Sequence, residues 1–143
     1  MKVREIMSVQ VEKVDFNATV SEATDKMRSF DIGVLPVEKG DRIVGIITDR
    51  DIAIRAVARH LNPETTAVNR VMTSDVKCCF EDDDIEEAAK IMEDRQIRRL
   101  LVPNSDNQPA GILSLSDLAV KAGNEHLACK VLEKVCEAVH TGW

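Results

Sequence analysis

The sequence predicts an α/β (α+β) fold of two pseudo-symmetric β-α-β-β-α repeats packed through their sheets, followed by a C-terminal helix. Two observations predict it. The phrase GIITDRDIA (45–53) returns as GILSLSDLA (111–119). Sliding the chain on itself by 65 positions also sets Ile6-Met7-Ser8 on Val71-Met72-Thr73, Glu22-Ala23 on Glu87-Ala88, Met27 on Met92, and Leu35 and Val37 on Leu100 and Val102. One extra residue in the second copy's turn moves the offset to 66, and Gly45-Ile46, Asp51 and Ala53 then meet Gly111-Ile112, Asp117 and Ala119. Register is kept through a helical pattern and an extended one, which chance does not explain.

The elements follow in order. A short strand is expected at VEKV (11–14) and again at VKCC (76–79). A helix begins at aligned caps, Thr19 with Glu22 and Asp84 with Glu87, each an N-cap residue with a glutamate three positions on. Its apolar residues Val20, Ala23 and Met27, then Ile85, Ala88 and Met92, recur at helical spacing. A strand at GVLPV (33–37) or RRLLV (98–102) leads through a turn, EKGDR or PNSDNQP, into IVGII (43–47) or AGIL (110–113). The repeated phrase then opens the last helix. Repeat 1 is residues 1–62, LNPETTA holds the linker (63–67), and repeat 2 is 68–122. Residues 123–143 form an amphipathic helix and tail carrying Leu127, Val131, Leu132, Val135, Ala138 and Val139. A repeat this small cannot bury its sheet alone, so two copies sharing a core are the economical arrangement.

Composition narrows the function classes. With 143 residues, 44% hydrophobic and 31% charged, the chain is globular in type. No apolar run reaches the roughly 18 residues that a membrane helix needs, and MKVREIMSVQ lacks the apolar stretch of a secretory signal. A net charge of −6 argues against general nucleic-acid binding, and one Trp, three Phe and no Tyr leave little for base stacking. Cys78, Cys79, Cys129 and Cys136 lack zinc-pair spacing and read as reduced thiols of a cytoplasmic protein. No nucleophile elbow, P-loop, metalloprotease helix or dinucleotide glycine fingerprint is present, so no enzyme is expected.

The two copies resemble a tandem pair of cystathionine-β-synthase-type (CBS) domains, a Bateman module, over about residues 2–122. The letters that carry the resemblance are IMS and VMT at the heads, DIGVLPV and QIRRLLV in the middle, and the repeated phrase. It implies a small stand-alone regulatory protein that forms a homodimer. Such a module would bind an adenine-containing nucleotide (AMP, ADP, ATP or S-adenosylmethionine) between its repeats and signal to an effector protein in trans. The nucleotide is a regulatory ligand, and no cofactor is required.

Thr48 with Asp51, and Ser114 with Asp117, have the form of a capping box. The same groups at a helix N-terminus also suit a nucleotide, and the resemblance gives Asp51 and Asp117 to the ribose with Thr48 and Ser114 beside them. Repeat 2 adds Arg98 and Arg99, whose forks suit phosphate, one of the two being expected to face the cleft because strand residues alternate. Repeat 1 has Gly33-Val34 at that place and offers only Arg50 and Arg55 nearby, so repeat 2 is expected to be the better nucleotide site. A base would rest on Val11, Val14, Leu35, Val76 and Leu100, residues equally suited to the core. The run Glu81-Asp82-Asp83-Asp84 is read as helix-dipole compensation rather than a cation site. Two alternatives remain open: a ligand-free dimerisation or adaptor module in which both phrases are caps, and a metal or redox switch through His126/Cys129 or Cys136/His140 in the tail.

Overall fold

A computed structural model describes residues 1–9 and 11–137 of the chain. Two compact units form, and their limits differ from those of the sequence repeats. One is Val11–Val76; the other joins the N-terminal segment to the chain from Lys77 onward. The head of each copy therefore packs in the unit built by the other copy.

The Val11–Val76 unit holds a three-stranded sheet. β1 (Val14–Asp15) runs parallel to β2 (Val34–Lys39), which is antiparallel to β3 (Arg42–Thr48), with Leu35 opposite Ile47 and Val37 opposite Gly45. Between β1 and β2 lies α2 (Val20–Phe30), whose spacing buries Val20, Ala23 and Met27 beneath the sheet residues Leu35, Val37 and Ile47. Each of the larger of these side chains contributes roughly 1.5–3 kcal/mol when fully buried, and Ala23 correspondingly less. The Thr19 hydroxyl accepts from the Glu22 amide and the Glu22 carboxylate accepts from the Thr19 amide, so the predicted box is complete.

The second unit repeats the plan with β4 (Arg99–Pro103) antiparallel to β5 (Pro109–Ser114), Leu100 facing Leu113. Helix α4 (Ile85–Arg95) buries Ile85, Ala88, Ala89 and Met92. Both long helices end on a left-handed residue at aligned places, Asp31 and Gln96. The first strands are shorter than predicted: VEKV supplies only Val14 to β1, and VKCC makes a single parallel bridge, Cys78 to Leu101. These segments cross the sheet margin too briefly to extend a ladder.

The last helices differ between copies. In repeat 1, α3 (Asp49–Asp51) continues as a π-helical stretch, Ile52–Val57, with the Ala58 amide donating five residues back to the Ala53 carbonyl. In repeat 2, α5 (Leu115–Val120) is α-helical. The tail forms α6 (Glu125–Cys136), whose Ala128, Val131 and Val135 pack with α4 and α5 in the second unit's core. Leu132, expected on that face, is 44% exposed, one position off the buried stripe. Ala138, Val139 and His140 lie outside the described residues. No helix among the described residues is long and apolar enough to cross a membrane.

Two head segments complete the units. Helix α1 (Val3–Ile6) places Val3 and Ile6 in the second unit's core. Ser8 then bridges to Ile112, and Met7 Sδ sits over Gly111, 2.7 Å from where a Cβ would stand. In the first unit Thr73 bridges to Ile46 and Met72 Sδ lies 2.8 Å from the corresponding point on Gly45. This close approach is why the repeated Met of each head accompanies the repeated Gly of each phrase. The acidic run 81–84 docks the first head: Asp84 pairs with Lys2 at 2.9 Å and Asp82 with Arg4 at 2.6 Å. The Asp83 and Glu81 carbonyls accept from the Val3 and Arg4 amides.

Candidate functional site

In repeat 2 the chain leaves β5 at Ser114 and turns into α5. The Ser114 hydroxyl accepts from the Asp117 amide at 3.2 Å, and Asp117 Oδ2 accepts from the Ser114 amide at 2.8 Å. The same oxygen accepts a hydrogen bond from the Ser114 hydroxyl at 2.7 Å. Oδ1 faces Lys121 Nζ at 2.7 Å, and that ammonium also reaches the Ser8 hydroxyl at 3.2 Å. The aspartate side chain is only 8% exposed. The Leu115 amide donates to the Arg98 carbonyl, which ties the helix start to the head of β4.

Around this cap lies a depression of about 370 Å³ lined by Arg98, Arg99, Ser114, Leu115, Ser116 and Ala119. Both arginines border it, although strand alternation led us to expect one. Arg98 precedes the first paired residue of β4 and so escapes the alternation. Both side chains are exposed, and among the described residues neither guanidinium has a carboxylate partner.

Repeat 1 reproduces the cap with a longer amide-to-carboxylate bond and a more distant cation. Asp51 donates its amide to the Thr48 hydroxyl at 3.0 Å, and Asp51 Oδ2 accepts from the Thr48 amide at 3.1 Å. Arg55 lies 3.8 Å from Asp51 Oδ1 but is spent elsewhere, donating to the carbonyls of Val71 and Met72 and standing 3.4 Å from the Thr73 hydroxyl. It is therefore not a free cation for phosphate. Arg50 is exposed, and its amide donates to Asp49 Oδ1 at 2.9 Å.

The expected base-binding wall is altered. Leu35 and Leu100 have no exposed surface and belong to the two cores, where pairing with Ile47 and Leu113 seals them off; neither is available to a ligand in this conformation. Val14 is also buried, whereas Val11 and Val76 are half-buried.

The cysteines separate by burial. Cys79 is buried and its thiol is pushed up to about 12, chiefly by desolvation with the Asp83 and Cys78 charges adding to it. Burial likewise raises Cys78. His126 and Cys129 are exposed on α6, and the Cys129 thiol faces Glu133 at 3.9 Å. Cys136 is exposed, and its pairing with His140 falls outside the described residues. Among those residues no group of three or more His, Cys, Asp or Glu side chains is placed to hold a metal ion.

Sequence reasoning missed Lys121, Asp49 and the docking role of the acidic run. Lys121 was legible as the basic residue four positions after Asp117. Asp49 was legible as the acid that the first phrase carries where the second has Leu115.

Comparison with known proteins gives the family and the fold. The CBS domain family model matches residues 3–57 and again 68–122. The CBS domain-containing protein YhcV of Bacillus subtilis (strain 168) is 33% identical over 133 residues, 93% of this chain and 94% of that protein. Hypoxic response protein 1 of Mycobacterium tuberculosis is 32% identical over 134 residues, 93% of this chain and 92% of that protein. Among solved structures, the CBS domain pair of protein MJ0100 in complex with 5′-methylthioadenosine and S-adenosyl-L-methionine has a TM-score of 0.76 at 25% identity, covering 87% of this chain and 98% of that one.

Proposed function

The chain belongs to the CBS domain family as a tandem pair, and from that premise we propose that it is a regulatory, non-catalytic module that binds an adenine nucleotide at the repeated phrase of repeat 2. The observation that carries this is the depression where Arg98 and Arg99 stand beside Ser114. Two unpaired guanidinium forks suit the oxygens of a phosphate. AMP, ADP and ATP therefore rank above S-adenosylmethionine at this place. The MJ0100 pair, which binds adenosine derivatives, supports the adenosine half of the reading.

Asp117 has one oxygen on the helix cap and the other on Lys121. A carboxylate accepts at about four lone-pair positions, so a ribose diol can share Oδ1 without undoing the cap. Lys121 also holds Ser8, so a ligand drawing on Asp117 would bear on the head segment. That is a route by which occupancy reaches a partner in trans. A homodimer is part of the reading, and Ile54 and Val57, three positions apart in the last helical stretch of repeat 1, are exposed apolar side chains that could serve it.

Calorimetric titration with AMP, ADP, ATP and S-adenosylmethionine tests the reading on wild type, Arg98→Ala/Arg99→Ala and Asp117→Ala. The expected result is a phosphate-bearing ligand bound by the wild type and lost from the arginine variant. No ligand on any protein would favour the adaptor reading, for which the self-contained caps of both phrases speak.

A further inference from the structure

We infer that α6 carries a second apolar stripe, Cys129, Leu132 and Cys136, on which α6 of a second copy of this chain seats, and that an oxidant locks the two stripes together through a disulfide. The inference goes beyond the nucleotide reading and uses none of its residues.

At 3.6 residues per turn, the apolar residues of α6, with Leu127 at one edge and Cys129 at the other, span an arc of roughly 200°. The polar residues, Glu125 of the first turn aside, lie outside it. A helix laid on one core needs an apolar stripe of only about 100°. Half of the arc meets that need, because Ala128, Val131 and Val135 are buried against α4 and α5. The Lys130 ammonium faces the buried Glu93 carboxylate of α4 at 3.9 Å, so α4 closes the arc on one side.

The other half stays open. Leu132 is 44% exposed, and Cys129 and Cys136 on either side of it are exposed thiols. A thiol packs as a small apolar group, so the three make one stripe beside the buried one. In the sequence the spacing runs on as 129, 132, 136 and 139, steps of three and four as in a helix seam.

The chemistry of the stripe names its occupant. Cys129 and Cys136 stand seven positions apart, about 10.5 Å along the axis, beyond the roughly 4.4–6.8 Å that the Cα atoms of a disulfide allow. On one helix they cannot pair with each other, and Cys79 is buried. A second stripe supplies what the first lacks. In a two-fold pair Leu132 packs beside its own copy and a thiol meets a thiol either way round. Parallel helices set Cys129 on Cys129 and Cys136 on Cys136; antiparallel helices set Cys129 on Cys136. A leucine between two thiols is thus self-complementary, as a two-fold interface requires. Three side chains a copy bury too little to hold a dimer alone, so the disulfide is what makes it last. Closure takes one hydrogen from each of two facing thiols and joins the sulfurs; a peroxide accepts both hydrogens and leaves as two waters.

The test is oxidation of the full chain at micromolar concentration with hydrogen peroxide, read by non-reducing electrophoresis and tryptic mapping. Trypsin cuts after Lys130 and Lys134, which puts the two cysteines in separate peptides. A dimer reversed by dithiothreitol is expected, its links joining only like peptides or only unlike ones. Cys129→Ser/Cys136→Ser should give no dimer. Leu132→Glu keeps both thiols and should slow linkage by about tenfold, with the thiol titration and the melting temperature of the wild type. The mapping uses the wild type alone and decides the matter even where a variant fails to fold. No dimer from the wild type overturns the inference, as does a dimer from the double serine variant. A statistical mixture of like and unlike links, or linkage of Leu132→Glu at the wild-type rate, overturns it too, since either is the mark of exposed thiols colliding at random.

Discussion

Asp117 and Lys121 form a 2.7 Å ion pair in which the carboxylate is 8% exposed and the ammonium 45%. The lysine also reaches the Ser8 hydroxyl, and Arg55 does the same in repeat 1 between Asp51 and Thr73. In each unit, then, the aspartate of the phrase holds a cation four residues on, and that cation holds the hydroxyl of a head segment.

Asp117→Ala removes the acceptor of the Ser114 amide and leaves Lys121 without its carboxylate. We expect a loss of roughly 1–3 kcal/mol in urea unfolding. Asp51→Ala should cost less, about 1 kcal/mol, because its cap bond is longer and its cation is 3.8 Å away. Equal losses would mean that the ion-pair geometry is irrelevant.

Gly111→Ala drives a methyl to 2.7 Å from Met7 Sδ and 2.9 Å from the Ser8 carbonyl oxygen. The sulfur can move aside; the backbone oxygen cannot without breaking its bond from the Ile112 amide. Destabilisation of about 1–3 kcal/mol is expected, with faster tryptic cleavage after Arg4 as the head lifts. Adding Met7→Ala should restore only part of the stability. Cleavage at the wild-type rate would show that the head does not depend on this contact.

The docking of the first head should depend on pH through Lys2 and Asp84. The hydrogen bond from Lys2 holds the Asp84 carboxyl below its ordinary range, and the same bond raises Lys2. A depressed carboxylate stabilises the fold above its unfolded pKa and loses that contribution as pH falls through the folded value. The raised lysine contributes below its unfolded pKa and loses that as pH rises through the folded value. Asp84→Asn should therefore lower the melting temperature at neutral pH, and its curve should meet that of the wild type below about pH 4. Parallel curves across that range would sink the assignment.

Thiol titration should separate the four cysteines. Cys129 and Cys136 are exposed and should react promptly with an aromatic disulfide reagent at pH 8, Cys78 more slowly, and Cys79 only on unfolding. Prompt reaction of Cys79, detected by mass mapping, would contradict its burial.

Much of the architecture was legible because it is local. Thr19 with Glu22 marks a cap within four residues, and Val20, Ala23 and Met27 mark the face that the helix must bury. Leu35 and Val37 lie two positions apart on one face of β2, although Pro36 between them is buried too. The same locality made the repeated phrase readable as a cap, and both caps form with the bonds that its spacing implies. The candidate site was legible in its letters but not in its surroundings. Arg98 and Arg99 were singled out, yet their shared depression depends on where β4 begins. Leu35 and Leu100 looked equally fit for wall or core, because an aliphatic side chain carries no mark of what will cover it.

The sequence by itself determined the duplication, the order of elements, the caps and the unequal charge of the two phrases, since each rests on residues within a few positions of one another or on one copy set against the other. Only the tertiary structure decided that Met7 lies on Gly111, that the acidic run holds Lys2 and Arg4, and that Asp49 fills the space over Gly33. Those contacts join segments about 16 to 104 positions apart, and which pairs meet is settled by how each unit packs as a whole rather than by any local preference.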